Sequence, residues 1–466
     1  MNDRIPDAES SHCLENFEIA AGRKTGEFYG AVFQDTDVAK WLEAVGFSLA
    51  CYPDEALEKT ADEVIDLIAE AQCEDGYINT YYTIKEPGKR WTDLCEGHEL
   101  YTAGHLIEAA VAYYEGTGKK KFLDCVSKFA DLICDTFGTE EGKIHGYPES
   151  CASIGLALFG LRMAQITGES QYIDVAERAL YNTVLAGIAL DGKSFFYVNP
   201  LEVWPPACME GTSKKHVKPI RQKWFGVACC PPNIARTLAS LGQYIYAENS
   251  KKKELYVNLF VSNETELDWN ENKISVKLQT EFPRVNTYSL EIKNVPEGEM
   301  DLLLRVPDYA QDYQVTADGN MYEENKELEK GYRRVHVEKD TRIEVSFAAP
   351  AKFVYANPQV RADSGKAAIV RGPLVYCLEE IDNSQNLPAV FVDTDTALEE
   401  EKSDLFGGIV TVKARGKKIV ESSVSNSLYS GQKPQLEDVE LTAIPYPYWN
   451  NRGEGEMLVW MKELRP

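Results

Sequence analysis

The chemistry of this chain concentrates first in two neighbouring thiols, Cys229 and Cys230, within Trp224-Phe225-Gly226-Val227-Ala228-Cys229-Cys230-Pro231-Pro232-Asn233. The first turn of a helix accepts proline, so the pair is expected in a loop just before a helix. The partial positive charge of a helix N-terminus favours thiolate over thiol. Glu149-Ser150-Cys151 offers a carboxylate and a thiol two residues apart at another helix start. Together Glu149, Cys151, Cys229 and Cys230 make an oxygen-plus-three-sulfur set of the kind zinc accepts. The spacing follows no standard zinc pattern, and other readings stay open: small apolar core residues, the usual role of buried cysteine, or a redox-active vicinal pair.

Other residue types invite functional readings with a plain alternative beside each. His98 and His105 lie seven apart and share a helix face with Tyr101 and Thr102 between them, but they lack the His-Glu-x-x-His spacing of metalloproteases. Hydrogen-bonded core histidines would look the same. Glu177, in Val175-Ala176-Glu177-Arg178, sits on a helix where most glutamates are simply solvated. Tyr197, Trp204 and Trp224 have rings that can stack on a sugar or fill a core. No phosphate-cradling glycine loop and no Gly-x-Ser-x-Gly elbow occurs in the chain, which removes nucleotide and serine-hydrolase readings.

These side chains must be positioned by 466 residues, too many for one ordinary compact core. Basic residues number 49 and acidic ones 74, a balance of −25 with no Lys/Arg-rich stretch; nucleic acid and anionic membrane are therefore poor partners. No apolar run suggests a signal-peptide core or a spanning helix, so a cytoplasmic location is expected. The 11 cysteines follow no regular framework, which fits free thiols or metal ligands better than a disulfide scaffold.

Helical periodicity governs the first half. Asp37 onward starts one helix, Glu55 to Ala71 is its antiparallel partner, and further runs cover Leu100 to Tyr114, Lys119 to Thr136, Cys151 to Thr167, Gln171 to Leu185 and Pro232 to Ala247, seven in all. Thr117-Gly118-Lys119 and Thr167-Gly168-Glu169 are matching helix-ending turns fifty positions apart. Helical hairpins at that period imply a solenoid or a closed α/α toroid. After Lys253 the period becomes two: Leu255 to Val261, Ile274 to Leu278, Tyr288 to Ile292, Leu302 to Val306, Tyr332 to Val337 and Ile343 to Phe347, a β-sandwich signature. A second all-β unit is expected from about Pro358, carrying Ala367 to Leu378 and Met457 to Met461, with Glu399-Glu400-Glu401 in a loop.

Six motifs in order, Asn16-Phe17-Glu18-Ile19-Ala20-Ala21-Gly22, Phe33-Gln34-Asp35-Thr36-Asp37, Asp75-Gly76-Tyr77-Ile78-Asn79-Thr80, Gly97-His98-Glu99-Leu100-Tyr101, Glu149-Ser150-Cys151 and Cys229-Cys230-Pro231-Pro232-Asn233, resemble glycoside hydrolase family 127, the β-L-arabinofuranosidases. The resemblance implies a multidomain α + β chain: an (α/α)6 barrel, here truncated, over residues 1–249, then β-sandwich domains over 250–357 and 358–466. It implies a Zn2+ ion held by Glu149, Cys151, Cys229 and Cys230, with Cys229 as the nucleophile of a retaining mechanism, and sugar contacts at His98, Glu177 and Tyr197. The partner is then an oligosaccharide or other glycoside.

The departures from the family are as informative. Gly146-Tyr147-Pro148 abuts Glu149 directly, whereas the family places a long stretch there with further barrel helices and its general acid/base glutamate. No residue here matches that glutamate, and seven helices fall short of the twelve that six hairpins need. A partial barrel follows, along with two readings: a hydrolase with weakened proton transfer, or a non-catalytic relic that binds zinc or a sugar. A homo-oligomer would cover the apolar surface that the absent hairpins leave.

Overall fold

The computed structural model describes residues 11–94, 96–136, 149–212, 214–225, 230–269, 272–295, 300–324, 327–420 and 429–465. The chain divides into two compact units, Met1–Tyr147 and Pro148–Pro466.

The first unit is helical: α1 (Cys13–Ala20), α2 (Asp35–Cys51), α3 (Glu55–Ala71), α4 (Thr80–Ile84), α5 (Glu99–Thr117) and α6 (Lys121–Thr136). Asp54 starts α3 by accepting hydrogen bonds from the backbone N–H groups of Ala56 and Leu57 at 2.9 and 3.0 Å. The α3 residues Ala61, Val64, Ile65, Leu67 and Ile68 recur on one face and are buried. Helices α2 and α5 meet at glycine: a Cβ on Gly46 would stand 2.5 Å from the Ala112 carbonyl carbon, and one on Gly116 would stand 2.3 Å from the Gly46 oxygen. Only hydrogen side chains permit that approach.

Helices α1 and α4 were not anticipated, being short and held by side chains rather than by periodicity. Asn16 of α1 pairs with the backbone of Tyr29 in both directions, at 2.8 and 3.0 Å. Asn79 caps α4 by accepting from Tyr82 N–H at 3.1 Å. The buried Asp35 carboxylate accepts from Thr80 N–H at 2.7 Å and from its hydroxyl at 2.5 Å. Burial pushes this carboxyl up to about 6. Burial likewise raises Glu99, which accepts from the Tyr77 hydroxyl and from Trp91 N–H at 2.7 Å.

The second unit opens with α7 (Ser150–Thr167), α8 (Gln171–Ala179) and, later, α9 (Cys230–Ser240). The helix expected to run to Leu185 does so, regular to Ala179 and π-helical over Leu180–Val184. The helix expected to reach Ala247 stops at Ser240, with a 3-10 turn at Leu241–Tyr244 and a strand from Tyr246. Contrary to the expectation that no run would suggest a spanning helix, α7 is long and apolar enough over its 18 residues to cross a membrane. It is instead a core helix, burying Ile154, Ala157, Leu158 and Leu161. The matching turns have matching geometry: Gly118 and Gly168 end α5 and α7 at φ 75° and 68°, where glycine is at ease.

Three sheets follow. In the four-stranded one the order is Tyr332–Val337, Met300–Arg305, Glu254–Val257, Tyr246–Asn249, the middle pair being parallel. The six-stranded sheet runs Asn263–Trp269, Asn272–Thr280, Thr287–Lys293, Thr341–Ala348, Gln311–Ala317, Asn320–Met321. Alternate apolar residues of both, such as Leu255, Leu302, Ile274 and Val345, share one core with Ile154, Leu158 and Ile173 of the helices. A ten-stranded sheet lies mostly in the C-terminal stretch, its longest strands being Ile409–Ile419 and Leu436–Pro445.

The run Ala367 to Leu378 is two strands, Lys366–Arg371 and Leu374–Glu379, joined at Gly372 with φ 54°. Glu399-Glu400-Glu401 is not a loop but lies in the strand Glu399–Ser403, which among the described residues pairs with Ile409–Ile419 alone. Exposed over Glu399–Lys402, this strand has no apolar residue to announce it.

Candidate functional site

Helices α7 and α9 bring the donor atoms together. Glu149 precedes α7, Cys151 is its second residue, and Cys230 is the first residue of α9. One ligand atom from each of Glu149, Cys151 and Cys230 lies within 4.8 Å of the others, and all three residues are buried. The Sγ atoms of Cys151 and Cys230 are 3.7 Å apart, far beyond the roughly 2.05 Å of a disulfide. Both cysteines are therefore unbridged, each at the start of a helix. Cys229 lies outside the described residues.

Ser150, between the carboxylate and the thiol, fixes this helix start. Its hydroxyl donates to the Phe196 carbonyl at 3.0 Å and accepts from Asn199 Nδ2 at 2.9 Å, while its N–H donates to the Tyr197 carbonyl at 3.1 Å. Glu149 forms a β-bridge with Val198. Gly187 lies against this hydroxyl: a Cβ there would come within 3.1 Å of Ser150 Oγ and 3.2 Å of Ile234 Cδ1 of α9.

The 195–199 segment is braced in turn by the C-terminal sheet. Phe196 stacks on Trp449 at 4.7 Å and 6°. Arg221 is buried beside them, donating to the carbonyls of Ala186 and Trp449 at 2.9 and 2.8 Å, with its guanidinium 4.6 Å from the Phe196 ring. Desolvation lowers its pKa to about 10. Ser150, Asn199 and Arg221 carry no local sequence signal of these roles, because their partners are distant in the chain.

The other anticipated residues fall in different places. Tyr197 is half-buried next to the cluster's helix start, its ring 5.9 Å from Phe225. His98 belongs to the first unit, where it precedes α5 with φ 51°, places Nδ1 2.6 Å from the Glu96 carbonyl and packs 5.1 Å from Phe33. Its neighbour His105 is buried, 4.6 Å from Tyr101. Trp204 and Trp224 are exposed.

Glu177 is neither solvated nor placed with the thiols. Only 1% exposed, it accepts from Arg305 and from the Tyr309 hydroxyl, the latter at 2.6 Å. Arg305, fully buried, also donates to Asp174 at 2.6 Å. Both Glu177 oxygens are thus committed, and packed this way its carboxylate does not present itself to a sugar. Burial raises Asp174 to about 6 against the lowering effect of Arg305.

Comparison with known proteins fits these elements. The profile of the GH127 β-L-arabinofuranosidase catalytic domain matches residues 1–150 and 144–243, that of the GH127 middle domain 254–350, and that of the GH127 C-terminal domain 351–462. The non-reducing end β-L-arabinofuranosidase of Bifidobacterium longum is 28% identical over 613 residues, covering 97% of this chain and 92% of the relative. The crystal structure of a GH127 β-L-arabinofuranosidase from Geobacillus stearothermophilus T6 is 38% identical, covers 99% of this chain and 95% of its own, and superposes with a TM-score of 0.66. A second GH127 β-arabinofuranosidase structure is 28% identical, with 97% and 92% covered and a TM-score of 0.60.

Proposed function

This chain belongs to glycoside hydrolase family 127, the β-L-arabinofuranosidase family, and on that premise we propose that it hydrolyses β-L-arabinofuranosides with a thiol nucleophile held beside a metal. One observation carries the reading: two helix starts converge to bring a carboxylate and two thiols, all buried, within 4.8 Å. The mixed oxygen and sulfur donors suit Zn2+, which Glu149, Cys151 and Cys230 would hold with Cys229. When bound, zinc keeps a coordinated thiol ionised near neutral pH.

The residues would then act as follows. Cys229 Sγ attacks the anomeric carbon, forming an S–C bond as the C–O bond to the leaving group breaks. Water next adds its oxygen to that carbon, the S–C bond breaks and the thiolate is restored, so the anomeric configuration is retained. Tyr197, beside the start of α7, orients the sugar, and the family resemblance alone assigns a sugar contact to His98. Glu177 is left out of this assignment because Arg305 and Tyr309 hold it.

Proton transfer to the leaving group is the weak step. The two stretches matched by the catalytic profile meet at residues 144–150, and the 613-residue comparison with the bifidobacterial relative exceeds the 466 residues here. Both support an internal segment missing just before Glu149, where the family carries its acid/base glutamate. Turnover should be slower by about 10²- to 10⁴-fold for want of it. The same reasoning supports a partial α/α barrel over 1–249 and β-sandwich domains over 250–357 and 358–466.

Zinc content measured with hydrolysis of an activated β-L-arabinofuranoside tests the proposal. The expected result is stoichiometric zinc and slow turnover abolished by Cys229→Ser. The missing segment favours a second reading, a zinc-binding relic, which predicts metal without hydrolysis. Metal-free protein with a Cys229–Cys230 disulfide would instead make it a thiol redox protein.

A further inference from the structure

The thiol cluster leaves a second concavity of the Pro148–Pro466 unit unexplained. A cavity of about 650 Å³ is lined by residues from 181–192, 280–284, 371–376, 408–410 and 445–448, a size suited to a small organic ligand. Leu185, Ile188, Leu374 and Ile409 give it apolar wall. Among the described residues, four polar groups in that wall make no hydrogen bond or ion pair: the hydroxyls of Tyr181 and Tyr448, the guanidinium of Arg284 and the carboxylate of Glu281.

The rings that carry those hydroxyls are held in place. Tyr448 stacks on Phe406 at 5.2 Å and 10°, and Tyr181 meets Phe282 edge-on at 5.8 Å. Burial raises the Tyr181 phenol above its usual range, so it stays a neutral O–H. Arg284 lies beside Gly408, where an added Cβ would come 3.8 Å from its Nη1.

Charge in this wall is balanced. Arg371 pairs with Glu400 at 2.7 Å and donates to the Pro283 carbonyl at 2.9 Å. Arg284 is accompanied by exposed Glu281, three residues before it. A hydrocarbon would leave the phenols and guanidinium without partners, which costs affinity. An anion would meet Glu281 as well as Arg284. A neutral molecule with several hydroxyls and an apolar face satisfies both kinds of wall, and aromatic rings with neighbouring hydrogen-bonding groups suit a sugar.

We infer that this cavity is a non-catalytic sugar-binding site, separate from the thiol cluster, that takes a neutral unit of the glycan the enzyme processes. The identity of that glycan rests on the hydrolase reading; the site itself rests on the cavity. Calorimetric titration of the full chain with methyl β-L-arabinofuranoside tests it, using Cys229→Ser to prevent turnover. Arg284→Ala and Tyr181→Phe in that background should each weaken a binding event about tenfold, with unchanged thermal melting.

The same two substitutions in the otherwise native chain should leave hydrolysis at saturating substrate unchanged. Binding that is indifferent to both, or lost only on Glu149→Gln, belongs to the thiol cluster and overturns the inference while sparing the hydrolase reading. D-galacturonate binding tenfold more tightly than the neutral glycoside would overturn the charge argument. Cavity binding that persists in a chain without any hydrolysis would sink the hydrolase reading and leave this site standing.

Discussion

Replacing Arg305 by Met would expose how much the second unit depends on one buried cation. The Arg305 side chain is fully buried and gives one nitrogen to Asp174 at 2.6 Å and another to Glu177, whose other oxygen accepts from Tyr309 at 2.6 Å. Methionine preserves much of the volume but leaves two carboxylates facing each other without a cation. Breaking a buried pair from one side costs about 3–5 kcal/mol. Asp174 already stands near 6 with Arg305 present, so removing the cation must raise it further. A carboxyl whose folded pKa exceeds its unfolded value contributes stability at low pH that disappears as pH rises through the folded pKa. The deficit of Arg305→Met should therefore be largest near neutral pH and shrink below about pH 5. Urea unfolding followed by circular dichroism at both pH values measures it, and adding Asp174→Asn and Glu177→Gln should recover most of the loss. A deficit under about 1 kcal/mol, or one equal at both pH values, would refute the reasoning.

Three further outcomes are expected. Gly46→Ala drives a Cβ to 2.5 Å from the Ala112 backbone and should destabilise the first unit by about 1–3 kcal/mol in thermal unfolding. Asp35, held near 6 against a usual 3.8, should make that unit lose about 2 kcal/mol between pH 4 and pH 6 as its proton leaves. Asp35→Asn should flatten that slope in unfolding curves across this range. Stripping metal with a strong chelator should lower the melting temperature, and Cys151→Ser should abolish the difference between treated and untreated protein.

Much of this was written in local sequence, and the rest was not for identifiable reasons. The amphipathic runs gave α2, α3 and α5 to α7 because each buries an apolar face at helical spacing. The prolines after Cys230 marked the start of α9, and the Glu-x-Cys motif marked that of α7. Their convergence on shared donors came from family resemblance, since spacing alone left the thiols open to apolar or redox roles. Glu177 shows the opposite limit. Its partners Arg305 and Tyr309 lie 128 and 132 residues away, so nothing beside it in the chain distinguished a buried ion pair from a solvated helix face. The strand Asn263–Trp269, with the pattern Asn-Glu-Thr-Glu-Leu-Asp-Trp, carries a weak strand signal because its outward residues are charged.

The rim strand Glu399–Ser403 sets a boundary on how this molecule can grow. Among the described residues no second strand pairs with its outer edge, and such an edge would ordinarily template another chain. Glu400 is tied to Arg371, but the exposed Glu399 and Glu401 on either side of it keep that edge acidic. A twin molecule approaching edge to edge would bring acid against acid, so lateral polymerisation is discouraged at the very place where the ten-stranded sheet lies open.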